Sequence, residues 1–210
     1  MQPLYNLLDS CRKLVQRGAL AVAKLLNKLS GGKLSPNAVT LFGFAMHLPI
    51  ALLIARGYFI YAGLFLIIFG LFDTLDGQLA RLQGRASNLG MFLDSVTDRM
   101  KEALLYIGIA YFFVWSGQPN MAVWAVVACG AGLLVSYINA WGEVVTKDIE
   151  NERHQTNKVF RGGIMSFDVR MFVIIVGLLF NQLPVAIVVI ALLAWVTALQ
   201  RVRMVMQKLR

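Results

Sequence analysis

Long apolar blocks separated by short polar connections run through most of the chain. Within these blocks the apolar residues are continuous, rather than spaced as on one face of an amphipathic helix, and this pattern is typical of membrane-spanning helices. Six spans are predicted, near 38–55, 59–76, 92–115, 120–142, 167–181 and 184–199. The predicted fold is therefore an all-α, polytopic integral membrane protein.

The first 34 residues have a different pattern, in which leucines and valines recur at helical spacing among basic side chains. Such a helix is predicted to lie along the membrane interface rather than to cross it, although packing against the transmembrane bundle explains the pattern equally well. Gly31, Gly32 and Pro36 then predict a break before the first span. The chain is thus divided into an N-terminal interfacial helix, 1–34, and a six-span domain, 35–210.

The charge of the chain changes which partners are expected. The sequence is 58% hydrophobic and 15% charged, with a formal net charge of +9. Because the basic residues lie beside apolar blocks, they are interpreted as topology signals and contacts for anionic lipid, not as a nucleic-acid surface. Arg99 and Lys101 are among those assigned to the connection between the second and third spans.

The distribution of basic residues also predicts an orientation. An even number of spans with both termini cytoplasmic places every basic connection on one side of the membrane. The compact six-span form favours a prokaryotic plasma (inner) membrane. The longest polar connection, 144–163, is either a solvated loop or a lid over a cytoplasmic site.

Four aspartates lie at the ends of two predicted spans, where charge is costly. Asp73 and Asp76 end the second apolar block, and Asp94 and Asp98 begin the third. A carboxylate at membrane depth costs roughly 2.5–3.5 kcal/mol, and four together repel one another unless a cation lies among them. Spacings of three and four residues place each pair on one helix face. Hard oxygen ligands of this kind favour one or two divalent cations.

The residues around the aspartates favour phosphoryl chemistry. Gly77 and Ala80 allow a ligand to approach the backbone closely, and Arg81 offers a forked cation suited to phosphate. A divalent-cation transporter or channel is the alternative, since intramembrane aspartates are expected there too. That alternative explains the carboxylates but not the small residues and the arginine. A solvated loop in which the aspartates pair with basic side chains is a further, purely structural alternative.

The run from Asp73 to Asp98 resembles the signature of the CDP-alcohol phosphatidyltransferase family, Asp-x2-Asp-Gly-x2-Ala-Arg followed by Gly-x3-Asp-x3-Asp, with every position filled. The chain is most similar to prokaryotic members that use inositol phosphate or glycerol phosphate. The resemblance implies that a CDP-alcohol such as CDP-diacylglycerol donates its phosphoalcohol group to the hydroxyl of a small polyol or phosphopolyol in phospholipid biosynthesis, and that CMP leaves. It also implies dependence on a divalent metal, Mg²⁺ or alternatively Mn²⁺, and a homodimer.

The same resemblance implies roles for individual residues. Asp73, Asp76, Asp94 and Asp98 would be metal ligands, and Asp98 would also be the general base. The CDP-alcohol would contact six residues of the signature and of the first span: Asp73, Gly77, Ala80, Arg81, Asn37 and Thr40.

The acceptor site departs from the pattern of the inositol-phosphate-using members. These share Ser-Tyr-x-basic-Ala-Arg-x-Glu after the fourth span. The chain keeps this frame from Ser136 to Glu143, but Asn139 and Trp141 fill both basic positions. Two expected phosphate contacts are therefore missing, and the acceptor is left open between a polyol and a phosphopolyol.

Three residues are candidate acceptor contacts: Arg170, Asn139 and Arg161. Arg170 follows the start of the fifth span, and a buried cation beside a substrate cavity is a functional candidate. A salt bridge to Asp168 or Glu143, or a position among lipid headgroups, is an equal alternative.

Overall fold

The computed structural model describes residues 18–153 and 163–209, which form helices and turns with no strand among them. The predicted all-α class is therefore confirmed. The helices are α1 (18–29), α2 (Pro36–Ala55), α3 (Phe59–Gly70), α4 (Phe72–Leu82), α5 (Asn88–Trp115), α6 (Pro119–Arg153), α7 (Phe167–Leu179) and α8 (Leu183–Lys208).

Four helical segments of the described chain are long and apolar enough to cross a membrane. They are Pro36–Ala55, Phe59–Leu82, Pro119–Thr146 and Leu183–Lys208, the second of which joins α3 and α4 across Leu71. The remaining two predicted spans correspond to α5, whose first half is charged, and to α7, which has 13 residues. A polytopic helical membrane protein is thus established, while the count of six spans stays a prediction.

Two predicted helix ends are wrong, and the local sequence gives the reason. Residues 144–153, expected to be a connection, continue α6 as far as Arg153. They contain neither glycine nor proline, so nothing in them ends the helix. The helix that carries Asp73 likewise continues past residue 76 to Leu82, and Gly84, at φ +62°, follows its end. The rest of the predicted connection, 154–162, lies outside the described residues.

The chain divides into two compact units. Among the described residues, the first unit contains those up to Ile50 together with Phe65–Lys101. In it α1 packs against α2 and α4 through a small apolar core of Ala23, Val39, Leu75, Leu79, Leu26, Leu34 and Phe72.

A side-chain amide reinforces this packing at the end of α4. Gln83 Nε2 donates hydrogen bonds to Asn27 Oδ1 at 2.9 Å and to the Leu34 carbonyl at 3.0 Å. Between these acceptors Gly31 and Gly32 adopt φ values of +58° and +75°, which confirms the predicted break. The first unit thereby fixes the start of α2 relative to α4.

The second unit contains Ala51–Leu64 and the described residues from Glu102 onward. Its long helices α6 and α8 pack side by side, and α7 packs on α8. The Met165 amide donates to Thr197 Oγ1 at 3.1 Å, and Arg201 Nη1 donates to the Val135 carbonyl at 2.9 Å. These bonds connect the residues before α7 and the middle of α6 to the last helix.

Candidate active site

A cavity of about 370 Å³ in the first unit brings most of the predicted site together. Three of the four aspartates line it: Asp73, Asp76 and Asp94. All six residues predicted to contact a CDP-alcohol line it as well: Asp73, Gly77, Ala80, Arg81, Asn37 and Thr40. The start of α2, the length of α4 and the first turns of α5 therefore form one polar cavity, although the roles of its residues stay predictions.

Asp76 is held in place by a hydroxyl from α2. Its side chain is buried, and Thr40 Oγ1 donates a 2.5 Å hydrogen bond to Asp76 Oδ2. The same hydroxyl lies 3.2 Å from the Pro36 carbonyl. A threonine in a helix can contact the carbonyl oxygen of the residue four positions earlier in this way. Thr40 therefore orients one carboxylate oxygen of Asp76, a residue that lines the cavity.

Lys101 is a residue of the site that the sequence interpretation assigned to a connection. It lies within α5 with 1% of its side chain exposed, and its ammonium donates hydrogen bonds to Asp73 and, at 3.4 Å, to Asp98 Oδ1. Arg99 Nη2 lies 3.7 Å from Asp98 Oδ2. The spacing of three residues between Asp98 and Lys101 places both on one helix face and was the available signal.

The fourth aspartate does not line the cavity. Asp98 instead forms ion pairs with Lys101 and Arg99. Among the side chains that the structure describes, 18–146 and 163–209, no three of the Asp, Glu, His and Cys types lie close enough together to hold a metal ion. The donors that line the cavity are nevertheless carboxylate and hydroxyl oxygens, which suit Mg²⁺ and Mn²⁺ chemically.

Arg81 lies at the exposed rim of the cavity, where Gly77 leaves room for it. Arg81 Nε donates a 3.0 Å hydrogen bond to the Gly77 carbonyl one turn earlier. A Cβ atom built on Gly77 would lie 3.3 Å from Arg81 Nη2. The glycine thus lets the guanidinium fold back along α4 while other donors of its fork remain available to an anion.

The predicted acceptor residues lie in different surroundings. Arg170 is fully buried, with Nε and Nη2 bonded to the two oxygens of Glu102 at 2.6 and 2.8 Å, and Nη1 bonded to the Met165 carbonyl at 2.8 Å. Its partner is therefore Glu102, not Asp168 or Glu143. This closed ion pair favours the structural alternative for Arg170.

The other two acceptor candidates are less constrained. Asn139 Nδ2 donates to Glu143 Oε1 at 3.2 Å, one helical turn along α6. Trp141, at the second altered position, is exposed. Arg161 lies outside the described residues. Arg170 and Asn139 thus have different hydrogen-bond partners, and the roles of all three candidates stay predictions.

Similarity to known proteins places this site in context. Residues 33–200 match the family model of CDP-alcohol phosphatidyltransferases. The chain is 33% identical over 160 residues to phosphatidylinositol phosphate synthase of Corynebacterium glutamicum, covering 75% of this chain and 67% of the relative. It is 29% identical over 196 residues to archaetidylinositol phosphate synthase of Pyrococcus horikoshii, covering 93% and 95%.

The fold is also that of a solved enzyme. Phosphatidylinositol phosphate synthase (PgsA1) of Mycobacterium tuberculosis, crystallised with CDP-DAG bound, superposes with a TM-score of 0.77 over 90% of this chain and 94% of the other, at 22% identity. A second structure of that enzyme, in complex with manganese and citrate, gives a TM-score of 0.76. CDP-alcohol phosphatidyltransferases are metal-dependent membrane enzymes of phospholipid biosynthesis, which transfer a phosphoalcohol group from a CDP-alcohol to a hydroxyl acceptor and release CMP. Because the family match includes all four aspartates and most of the chain, this protein belongs to that family.

Proposed function

We propose that the enzyme transfers the phosphatidyl group of CDP-diacylglycerol to a hydroxyl of an inositol phosphate. The observation that carries this proposal is the single cavity lined by Asp73, Asp76, Asp94 and the predicted CDP-alcohol contacts. Relatives named as phosphatidylinositol phosphate and archaetidylinositol phosphate synthases, and a fold relative with CDP-DAG bound, support the choice of donor and acceptor.

The four aspartates would hold the divalent ion, Mg²⁺ or Mn²⁺. When bound, such an ion neutralises a pyrophosphate and stabilises the leaving phosphate oxygen. Thr40 would fix the orientation of Asp76 for this role through its 2.5 Å hydrogen bond. Because the cavity already carries several carboxylates in a partly buried site, binding an anionic donor there requires compensating positive charge.

The donor's headgroup would lie along α4 and the start of α2. Because Gly77 and Ala80 have small side chains, a pyrophosphate could approach the backbone of α4 closely. The Arg81 guanidinium at the rim would bind a phosphate oxygen. Asn37 and Thr40, which also line the cavity, would lie beside the cytidine. The assignments on α4 follow the family signature residue by residue, and those of Asn37 and Thr40 follow the family resemblance at the start of the first span.

The transfer itself would need one proton acceptor. The acceptor's hydroxyl oxygen attacks the phosphorus of the phosphatidyl group, and the bond from this phosphorus to the bridging pyrophosphate oxygen breaks. CMP leaves with the electron pair of that bond. Asp98 would accept the proton of the attacking hydroxyl, a role that suits a carboxylate already oriented by contacts with Lys101 and Arg99.

A polyol without phosphate is a second candidate acceptor, and one observation favours it. Both positions expected to be basic for an inositol-phosphate acceptor are neutral here, Asn139 and Trp141, and the Asn139 amide is bonded to Glu143. A positive charge that would contact the acceptor's phosphate is therefore missing from this part of α6.

An acceptor panel separates the two candidates. Purified enzyme with CDP-diacylglycerol and Mg²⁺ is given inositol phosphate, inositol, glycerol phosphate or serine, and the phospholipid product is identified by mass spectrometry. We expect phosphatidylinositol phosphate as the main product. Product from free inositol but none from inositol phosphate would favour the polyol. The double variant Asn139→Lys with Trp141→Arg should lower KM for inositol phosphate and leave KM for the donor unchanged.

We further propose that α5 and α7 complete six spans, with an interfacial helix in 1–34 and the catalytic domain in 35–210. Both termini and the active site would lie on the cytoplasmic side of the plasma membrane, and the enzyme would be a homodimer. The basic residues beside the apolar blocks support this orientation. Labelling of single cysteines with a membrane-impermeant reagent tests this orientation. The cysteines are introduced one at a time, at 84 or at 117, in a variant without Cys11 and Cys129. We expect the two turns to label from opposite sides of the membrane.

A further inference from the structure

Lys101 is the most completely buried lysine among the described residues, and its surroundings are acidic. Its ammonium is bonded to Asp73 and lies 3.4 Å from Asp98 Oδ1, while 1% of its side chain is exposed. Asp73 lines the donor cavity and Asp98 is the predicted general base. A fixed cation therefore contacts two of the four carboxylates to which metal binding is assigned.

Burial makes this contact energetically important. An ammonium that loses its water needs carboxylates close by, and carboxylates crowded into a partly buried site need a cation close by. Lys101 and Arg99 are two cations beside four aspartates, of which Asp73, Asp76 and Asp94 line one cavity, so the group as a whole keeps negative charge in excess. The lysine thus reduces the charge repulsion of the site without saturating its oxygen atoms.

The same bond opposes a divalent ion. An oxygen lone pair that accepts a hydrogen bond from the ammonium is not free to coordinate a metal, and the lysine's charge repels a second cation at short range. We propose that Lys101 is the internal counter-ion of the site and competes with the divalent metal for Asp73 and Asp98, thereby setting how tightly the metal is held. This inference rests on the proposed metal-binding role of the aspartates.

Removing the charge of Lys101 should therefore tighten metal binding. Lys101→Met keeps most of the length of the unbranched side chain and removes the ammonium. Mn²⁺ binding to the purified full-length chain, followed by the EPR signal of the free ion, should give a Kd on the order of tenfold lower than that of the wild type. The thermal midpoint without added metal should fall, and saturating Mn²⁺ should raise it more in the variant than in the wild type.

Two further variants keep this test decisive. Lys28→Met removes an equal charge from an exposed lysine of α1, and it should leave the Kd unchanged. Lys101→Gln removes the charge but keeps a hydrogen-bond donor, so it should also tighten Mn²⁺ binding even if the methionine variant folds poorly. A merely structural role for Lys101 would weaken metal binding in both neutral variants, and an unchanged or weaker Kd in the folded variant would overturn the inference.

A measurement on the wild-type chain does not depend on the stability of a neutral variant. With ¹⁵N-labelled lysine, the side-chain nitrogen signal of Lys101, assigned by its loss in Lys101→Arg, should shift as Mg²⁺ is added. An unmoved signal at saturating Mg²⁺ would overturn competition. A wild-type chain that binds no Mn²⁺ at all would instead overturn the proposed metal site, so the two failures are distinguishable.

Discussion

Lys101 and Glu102 are consecutive residues of α5, and both are almost completely buried, yet their ion pairs differ in kind. Glu102 pairs with Arg170 through both of its oxygens, and the third guanidinium nitrogen is bonded to the Met165 carbonyl. Lys101 is shared between two carboxylates, Asp73 and Asp98. One region contains a closed, neutral pair and the other an open, acidic group.

The difference separates a structural use of buried charge from a functional one. In this bidentate pair each guanidinium nitrogen already has a partner and both charges are buried and matched, and breaking it leaves an uncompensated buried charge. A group of four aspartates with two cations beside it, Lys101 and Arg99, retains negative charge, which a divalent cation can use. Burial alone therefore does not identify a functional charge, whereas the balance between a charge and its partners does.

The largest effect on catalysis is expected at the open group. Asp98→Asn should lower turnover by about 10²–10⁴-fold, because an amide cannot accept the proton of the attacking hydroxyl. Binding of CDP-diacylglycerol, measured by calorimetry, should persist. The matched control is Asp168→Asn, which changes an exposed carboxylate at the start of α7 and should leave turnover unchanged. Full activity in Asp98→Asn would remove the general-base assignment.

The closed pair should instead control stability. Glu102→Gln leaves the Arg170 guanidinium buried without a counter-charge and should lower the free energy of unfolding by about 3–5 kcal/mol. Denaturation in mixed micelles measures this change, with Glu143→Gln as the control at an exposed carboxylate of α6. Turnover per folded molecule should change little. A stable Glu102→Gln variant without activity would contradict the division between the two regions.

Gly132 lies beside the Glu102–Arg170 pair, and a substitution there should lower stability by a smaller amount than breaking the pair does. A Cβ atom on Gly132 would lie 2.7 Å from Glu102 Oε1 and 3.0 Å from Arg170 Nε, so Gly132→Ala should destabilise the fold by about 1–3 kcal/mol. Gly130→Ala is the matched control two residues earlier, where a Cβ would meet nothing within 4 Å. Equal unfolding free energies for the two variants would mean that the pair tolerates displacement.

The smallest effect is expected from the hydroxyl that orients Asp76. Thr40→Val removes the donor of the 2.5 Å hydrogen bond and should weaken Mn²⁺ and CDP-diacylglycerol binding together, each by about two- to tenfold. Thr40→Ser, which keeps the hydroxyl, should bind as the wild type does. Calorimetry with both ligands checks this expectation. Weakened donor binding with unchanged Mn²⁺ binding would show that Thr40 does not support the metal site.

The sequence predicted the parts of the site that depend on local spacing. Asp73 and Asp76 were found because carboxylates interrupt an apolar block, and Gly77 and Arg81 because they complete a family signature. The structure places all of these on the wall of one cavity. The all-helical class followed from the apolar blocks in the same way.

The parts that depend on partners distant in sequence were not predictable from spacing. Arg170 was given the wrong carboxylate, because its partner Glu102 is 68 residues away in the chain and belongs to no motif. Lys101 was counted among the basic residues of a connection, although the predicted third span, 92–115, and the observed α5, which begins at Asn88, both contain it. Which charges become neutralised is decided by tertiary packing.

The central claim is that the acidic cavity carries out metal-dependent transfer and does not conduct ions. The most direct test is CMP release from radiolabelled CDP-diacylglycerol by purified enzyme with an inositol phosphate acceptor, alongside ion flux into proteoliposomes. The account predicts CMP release that requires Mg²⁺, disappears with a chelator and is lost in Asp98→Asn, with no flux of the ion. Magnesium flux without any CMP release would contradict it.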